Sequence, residues 1–453
     1  MLRRNFLKAS LAAATTALLP FTASHAAPRA DQPTFFPETG HNIGFRFRNF
    51  YYSNGGQEMF GAPLTEAFED SGMLVQYFER ARFEYRAGTI SLALLGSELA
   101  AGRPEPEFQW LAGDPANGRR FFPESGHTLG GAFEYFWTTH NGLMLFGYPI
   151  SEELSESAAD GSSALVQYFE RGRFYLIEKN GEYSVGLANV GRMALERRPE
   201  LQSYRAPAKP ITLLGSATTG FGGSAADRRT NIQRATALFD GVVINPGAEF
   251  SFIRGHDFSE ESGFVEGYGI VNGKLDRVMG GGLCQVSTTM FRAVANAGLQ
   301  VTRRVPHTYV VYFYDNIPGF DATVFTPDVD FRWRNDTAGP VTIIGTVNLN
   351  ASTVTFDLYG TVAARNVSYS GPTVRNRVPP GTPIWQYDAS LPSGTRKHLV
   401  HGRPGMDVTL VRTVSANGAL HRQDRFETHY KPWDDYWVFG PDVTPPKGVR
   451  VIR

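Results

Sequence analysis

Residues 280–289 read Gly280-Gly281-Gly282-Leu283-Cys284-Gln285-Val286-Ser287-Thr288-Thr289 and contain the single cysteine of the 453-residue chain. Apolar residues then recur at four-residue spacing as far as Val294, which predicts a helix, and Gly298 is placed to end it. Cys284 is therefore expected in the first turn of this helix. A helix N-terminus lowers the pKa of a thiol and can stabilise an oxyanion through its unpaired N–H groups. The alternative is a buried cysteine that acts as a small apolar residue.

Two polar residues downstream complete a candidate catalytic set. His307 and Asp321 follow Cys284 in the order of papain-like and transglutaminase-like cysteine enzymes, in which the cysteine starts a helix and the other two residues lie on neighbouring strands. We predict a strand at 309–314, directly after His307. His307 would be the base, and Asp321 would orient its ring. Alternatively, His307 satisfies a strand-end carbonyl and Asp321 caps the turn at 318–320.

The residues around the cysteine supply the rest of the predicted site. The backbone N–H of Cys284 or Gln285 would hold an oxyanion, so Gln285 joins the predicted catalytic residues. His256, in an acidic loop, is a second candidate base. The predicted substrate-contacting residues are Gly280, Gly281, Gly282, Ser287 and Thr288. No His, Cys and Asp cluster has metal-ligand spacing and the glycines lack the Lys-Ser/Thr of a phosphate loop, so no metal or other cofactor is expected.

The chain around the cysteine resembles the VanW domain family of secreted and cell-envelope bacterial proteins. The matching stretches occur in the family's order over about a third of the chain: Asn245–Phe252, Gly263–Phe264, Val271–Gly273, Gly280–Thr289, His307, Asp321–Val324, Asp330–Phe331 and Asn335–Thr337. The loop around His256 departs from the family pattern, which puts substrate preference in doubt. The resemblance implies an envelope location, but it implies no particular reaction.

The N-terminus reads as an export signal. Arg3-Arg4-Asn5-Phe6-Leu7-Lys8 resembles a twin-arginine motif, an apolar run follows at 11–21, and Ser24-His25-Ala26 fits a cleavage site. An ordinary secretory signal with two chance arginines is the alternative. No later stretch is apolar and long enough for a membrane span, so we expect an extracytoplasmic protein without one.

Residues 33–198 contain two copies of one unit. Phe35-Phe36-Pro37-Glu38-Thr39-Gly40-His41 returns at 121–127, and Val75-Gln76-Tyr77-Phe78-Glu79-Arg80 returns at 166–171 after an insertion at 158–163. Each copy is predicted to hold a short aromatic helix, a Phe-Gly-x-Pro turn and two strands. Most aromatic residues should fill the two cores, while Tyr51, Trp137 and His140 are candidate binding residues at the edges. The copies resemble the tandem aromatic repeats of secreted bacterial proteins and, more weakly, LGFP repeats, which implies surface binding.

The C-terminal part reads as strands and turns. Strands are predicted at 384–387, 395–400, 408–414 and 425–430, with a hairpin turn at Asn417-Gly418. The run Asp407–Arg412 with Gly418 and Thr428–Pro432 is similar to the all-β G-five domain, which implies contact with envelope polysaccharide.

The predicted fold class is α+β multidomain: two small α+β repeat modules, an α+β VanW domain with a cysteine-bearing central helix, and an all-β C-terminal module. The predicted boundaries are 1–26 for the signal, 33–118 and 119–198 for the repeats, 199–212 for a proline-rich linker, 213–365 for the VanW domain and 366–442 for the G-five-like domain. The formal net charge is zero, which argues against a nucleic-acid partner.

Two functions of different classes are consistent with these patterns. The first is an exported cysteine-dependent amide hydrolase or transferase that acts on peptidoglycan or a related wall polymer. The second is a wall-binding or scaffold protein in which Cys284 is structural. The state of the thiol discriminates them, since only the first requires an accessible thiol of low pKa that depends on His307.

Overall fold

The computed structural model describes residues 21–22, 32–157, 163–271, 274–362 and 365–453, and the side chains of 21–22, 268–271 and 274–276 are left out of the description. The predicted export motif, its cleavage site and nearly all of the predicted insertion at 158–163 lie outside the described residues, as does Gly273. The described chain mixes helices with several small sheets. None of its helices is long and apolar enough to cross a membrane. The chain forms two compact units, one within 27–211 and the other comprising 212–453 with strand β1 (Phe21–Thr22).

The unit within 27–211 repeats one order of elements twice: a hairpin, two short helices, a four-stranded antiparallel sheet and a final helix. The first copy consists of β2 (Thr34–Phe36), β3 (His41–Ile43), α1 (Phe45–Ser53), α2 (Gly56–Phe60), β4 (Phe68–Asp70), β5 (Met73–Tyr77), β6 (Arg82–Arg86), β7 (Thr89–Leu92) and α3 (Leu95–Ala100). The second consists of β8 (Arg120–Phe122), β9 (His127–Leu129), α4 (Gly131–Thr139), α5 (Gly142–Leu145), β10 (Leu154–Ser157), β11 (Ser163–Tyr168), β12 (Arg173–Lys179), β13 (Glu182–Leu187) and α6 (Val190–Glu196). Short 3-10 helices lie at Pro106–Phe108 and Pro199–Arg205.

Two aromatic residues predicted at the edges of the repeats lie in the core instead. Tyr51 and Trp137 are buried, and each donates one hydrogen bond of 2.9 Å, to the carbonyls of Gly61 and Gly147. The prediction that they bind ligands is therefore wrong. The sequence shows that the two helices carry aromatic residues, but it does not show which face of each helix the sheet covers.

The two copies pack reciprocally through their final helices. The N–H of Ser97 in α3 donates to the carbonyl of Glu170 in the second copy, and the N–H of Arg192 in α6 donates to Glu79 in the first, both at 3.0 Å. Gly96 allows this approach, because a Cβ there would lie 1.8 Å from the carbonyl oxygen of Phe169. Each copy therefore contributes its final helix to the packing of the other copy.

Gly96→Ala is expected to destabilise this unit by about 1–3 kcal/mol, since the added methyl group forces the two copies apart. Gly113→Ala is the matched control, because nothing lies within 4 Å of a Cβ at that position. Urea unfolding of the protein measures the difference. Equal unfolding midpoints for the two variants would contradict the reciprocal packing.

The second unit is built around the predicted cysteine helix. Its elements up to the last strand of the central sheet are β14 (Thr212–Gly220), α7 (Ala226–Phe239), β15 (Val243–Ile244), β16 (Glu249–Ser251), β17 (Glu266–Val271), β18 (Lys274–Met279), α8 (Leu283–Asn296), β19 (Gln300–Arg303), a 3-10 helix (Tyr312–Tyr314), β20 (Arg332–Arg334), β21 (Val341–Asn348) and β22 (Thr353–Gly360). The sheet β14-β22-β21-β15 packs on α7 and α8. All residues of α8 from Gln285 to Ala295 are buried, so this helix is central.

The remaining strands continue the same core. They are β23 (Asn366–Val378), β24 (Ile384–Tyr387), β25 (Arg396–Val400), β26 (Gly405–Ala416), β27 (Ala419–Tyr430), β28 (Tyr436–Phe439) and β29 (Arg450–Ile452). Tyr369, Leu410 and Phe426 belong to the same apolar cluster as α8. Arg412 is fully buried and donates to the carbonyls of Ala295 and Leu299, both at 2.9 Å. The C-terminal strands therefore support α8 directly.

Some local predictions for this unit are confirmed and others are wrong. Gly298 follows the end of α8 with φ +68°, and Asn417-Gly418 forms the turn between β26 and β27. The strand predicted at 309–314 is wrong, because that segment contains the 3-10 helix Tyr312–Tyr314. Asp227, the predicted cap of α7, lies within its first turn, since Ala225 precedes the helix.

Candidate active site

Cys284 is the second residue of α8, as the sequence predicts. The glycine triplet brings the chain into the helix: Gly280 and Gly282 have φ of +74° and +116°, and a Cβ at Gly281 would lie 2.5 Å from the backbone of Gly267. Side chains at these positions would be strained or would clash. The close-packed turn leaves the thiol half-buried at a cavity wall.

His307 and Asp321 lie together, although neither lies on a strand. One oxygen of the Asp321 carboxylate accepts from the backbone N–H of His307 at 2.8 Å and contacts its Nδ1 at 2.5 Å. The other oxygen accepts from the hydroxyl of Tyr430 at 2.6 Å, and Arg304 lies 3.4 Å away. Asp321 and its three partners are all at least largely buried, so Asp321 holds the imidazole in one orientation.

The imidazole of His307 is coupled to the thiol. Burial raises the pKa of Cys284, but the hydrogen bond and the charge of His307 outweigh it and lower that pKa to about 7. Burial lowers the pKa of His307, but Asp321 and Cys284 outweigh it and raise that pKa to about 9. The carboxyl pKa of Asp321 is held far below its ordinary value against burial, chiefly by His307. Between about pH 7 and pH 9 the pair is therefore a thiolate and an imidazolium.

The thiol has two further partners. Its Sγ lies 3.2 Å from the hydroxyl of Thr323 and 3.3 Å from the carbonyl oxygen of Val324. The Thr323 hydroxyl can donate to the thiolate, and it lowers the pKa of Cys284. The hydroxyl of Tyr314 lies 3.0 Å from Nε2 of His307, so it competes with the thiol for that nitrogen. The sequence reasoning singled out neither Tyr314 nor Thr323 for the site.

Ser287 and Thr288, predicted to contact substrate, are fully buried and are not among the cavity-lining residues. Both hydroxyls donate to the carbonyl of Ala322, at 2.6 and 3.1 Å, and the Ala322 N–H returns a bond to Thr288. They therefore tie the segment after Asp321 to α8. The prediction of substrate contact is wrong for this pair, because their positions on α8 turn them toward the protein interior.

The backbone N–H and the side-chain Nε2 of Gln285 both donate hydrogen bonds within the protein. Its N–H donates to the carbonyl of Gly282 at 3.0 Å, so that group is not available to an oxyanion. Its amide Nε2 donates to Thr219 and to the carbonyl of Gly220. Within the described part of the chain, the N–H of Cys284 has no hydrogen-bond acceptor, and it is the donor that remains for an oxyanion.

The site opens into a cavity of about 1150 Å³. The three glycines, Cys284 and His307 line it, together with Arg228, the 310–314 segment, the 398–401 segment, Arg403 and Trp433. Its size admits a peptide or sugar fragment. His256, the second candidate base, is not part of this wall; its ring packs at 5.0 Å from Phe239, and burial lowers its pKa.

A possible metal-binding group lies at the cavity margin. His398, His401 and Asp435 each offer an atom within 4.8 Å of the others, a grouping that the sequence reasoning missed because strands β25 and β28 bring it together. The Asp435 carboxylate already accepts from Nε2 of His398 at 3.0 Å, from the Gly402 N–H and from the Trp437 indole. Since these bonds explain the arrangement, we assign no metal to it.

The sequence model of one family, described as VanW like protein, matches residues 227–359. The chain is 38% identical over 131 residues to "Uncharacterized protein YoaR" of Bacillus subtilis (strain 168), covering 29% of this chain and 43% of that protein. It is 32% identical over 111 residues to "Vancomycin B-type resistance protein VanW" of Enterococcus faecalis (strain ATCC 700802 / V583), covering 24% and 40%. The chain thus spans about two fifths of the length of these curated relatives.

Among solved structures, "Crystal structure of HP0197-G5" aligns with 22% identity over 17% of this chain and 100% of that chain, at a TM-score of 0.09. The match of 227–359 confirms the family resemblance that the sequence motifs indicated. The matched range contains the cysteine helix, His307 and Asp321.

Proposed function

We propose that the VanW-like domain of this chain is a cysteine-dependent amide hydrolase or acyltransferase. Cys284 is the nucleophile, His307 is the general base and acid, and Asp321 orients the imidazole. The observation that carries this proposal is the buried Asp321–His307 contact of 2.5 Å, next to a thiol whose pKa His307 lowers to about 7 at a cavity wall. Perturbed groups that converge on a cavity are typical of catalytic sites.

The reaction starts from the thiolate and the imidazolium. The Cys284 sulfur attacks an amide carbonyl carbon, and the carbonyl electron pair moves to the oxygen, which the Cys284 N–H stabilises. When the intermediate collapses, the carbon–nitrogen bond breaks and the His307 imidazolium protonates the leaving amine. Water or a second amine then attacks the thioester, its proton passes to His307, and the sulfur leaves as thiolate.

We propose a peptide of the bacterial cell wall as the substrate. One relative is named as a vancomycin resistance protein, and the motifs of the chain resemble those of envelope proteins. The cavity is large enough for several residues of a peptide. The aromatic repeats and the C-terminal strands would hold the enzyme near the wall, after export guided by the N-terminal motif.

The first test measures the rate of iodoacetamide alkylation of Cys284 against pH. We expect the rate to rise with a midpoint at about pH 7 in the native protein, against about 8.5 for the unfolded chain in urea.

Peptidoglycan fragments are then incubated with the protein and with Cys284→Ala, and the products are identified by mass spectrometry. A thiol that resists alkylation until the protein unfolds would contradict the proposal and favour the non-catalytic scaffold.

A further inference from the structure

Arg228, on the first turn of α7, is a cavity-lining residue that no sequence motif identified. Its Nη1 donates to the hydroxyl of Ser224 at 2.8 Å, and its guanidinium carbon lies 3.8 Å from the ring centroid of Phe313. The glycine turn packs against it, since a Cβ at Gly282 would lie 3.1 Å from the Arg228 Cγ. Burial lowers the pKa of Arg228. The guanidinium is thus fixed beside the turn that presents Cys284.

Two buried arginines of this unit, Arg292 and Arg412, have their hydrogen-bond donors satisfied within the protein. Arg292 donates to the oxygens of Phe320, Asn316 and Tyr314. Arg412 pairs with Asp424 at 2.6 Å and also donates to two carbonyls of the α8 region. Their roles in holding the fold follow from these contacts.

Arg228 differs because its partners are one hydroxyl and one aromatic face. Among the described residues, no carboxylate lies within 4.0 Å of its guanidinium nitrogens. The other arginines at the cavity are ion-paired: Arg277 with Asp227 at 3.5 Å, and Arg403 with Asp315 at 3.4 Å. The charges of Cys284 and Asp227 act on Arg228 from a distance, but burial outweighs them and lowers its pKa. Partly removing a cation from water without an anion in contact is unfavourable, so an anionic partner from solution would complete this site.

We propose that Arg228 binds a carboxylate of the molecule that reaches Cys284. This inference rests on the proposed function and narrows its substrate class to acyl compounds with a free carboxylate, such as a peptide attacked near its C-terminus. The planar guanidinium fits a carboxylate with two parallel hydrogen bonds, and the ring of Phe313 leaves its edge available for them. Arg228 is thus a specificity-determining residue.

The test compares iodoacetate with iodoacetamide as alkylating reagents for Cys284. Iodoacetate carries the carboxylate that Arg228 would bind, and iodoacetamide lacks it. Both reagents react with the same thiolate, so the ratio of their rates does not depend on the fraction of Cys284 that is ionised. We expect the native protein to favour iodoacetate roughly tenfold or more over the ratio found for the urea-unfolded chain. Arg228→Gln should lose this preference, Arg228→Lys should keep part of it, and Arg229→Gln, on the exposed face of the same helix, should keep all of it.

The outcomes separate this inference from the proposed function. If Cys284 reacts with a midpoint near pH 7 but shows the ratio of the unfolded chain, the carboxylate site is wrong and the enzyme proposal stands. If the thiol is inert to both reagents, calorimetry on Cys284→Ala with N-acetylalanylalanine and its C-terminal amide decides the carboxylate site alone. Tighter binding of the acid that Arg228→Gln abolishes would support the site, and equal or undetectable binding of the two would overturn it.

Discussion

Replacing His307 with glutamine is expected to raise the pKa of the Cys284 thiol from about 7 back to about its ordinary value. The imidazolium that stabilises the thiolate is removed, while the burial that opposes ionisation remains. At pH 7 the thiolate fraction should fall from about one half to about one hundredth. A thiolate whose thiol has a higher pKa is intrinsically more nucleophilic, which offsets part of this loss. Alkylation at pH 7 should therefore slow by roughly sixfold.

Turnover should suffer far more than alkylation in His307→Gln, because the variant also lacks the acid that protonates the leaving amine. We expect a loss of about 100- to 10,000-fold in the hydrolysis or transfer rate. The alkylation midpoint and the release of wall-peptide products measure the two effects separately.

His256→Gln is the matched control for this experiment, since His256 is the second candidate base and packs on Phe239 away from the cavity. It should leave the alkylation midpoint at about pH 7. A midpoint that moves in His256→Gln and stays in His307→Gln would reverse the assignment of the base.

Asp321→Ala is expected to lower the free energy of unfolding by about 3–5 kcal/mol, because it leaves the buried cation of Arg304 and the donors of His307 and Tyr430 without their acceptor. Asp321→Asn should cost less stability, since its amide oxygen still accepts. Both variants should weaken the coupling of His307 to Cys284, because the carboxylate raises the pKa of His307.

This stability contribution has a defined pH dependence. The pKa of Asp321 is depressed in the folded protein, so the contribution is complete above the ordinary carboxyl pKa of about 4 and is lost as the pH falls further. Urea unfolding at pH 5 and pH 3 should show a difference between the native protein and Asp321→Ala that is smaller at pH 3.

Asp328→Ala is the control, because Asp328 is exposed and its side chain has no hydrogen bond or ion pair with another described residue. It should change the free energy of unfolding by no more than about 0.5 kcal/mol. A similarly small effect of Asp321→Ala would contradict the view that the carboxylate holds His307 and Arg304 together.

Local patterns in the sequence predict much of the scaffold. The start and end of α8, the Asn417-Gly418 hairpin and the paired motifs of the repeats depend on neighbouring residues, so the sequence shows them directly. Strand β22 was not predicted, although it forms a hairpin with β21. Strand β14 was not predicted either, and its pairing with β22 joins Thr212 to Gly360 across the length of the domain. Pairing at that separation leaves no short-range pattern.

By itself, the sequence determined that Cys284 starts a buried helix and that His307 and Asp321 are its candidate partners. Only the tertiary structure decided which other groups support them: Tyr314 beside the imidazole, Tyr430 on the Asp321 carboxylate, and Arg228 in the cavity. Tyr430 reaches Asp321 from 109 positions away along the chain. Such contacts arise when strands and irregular segments close over one core, so their positions follow from packing rather than from any local period.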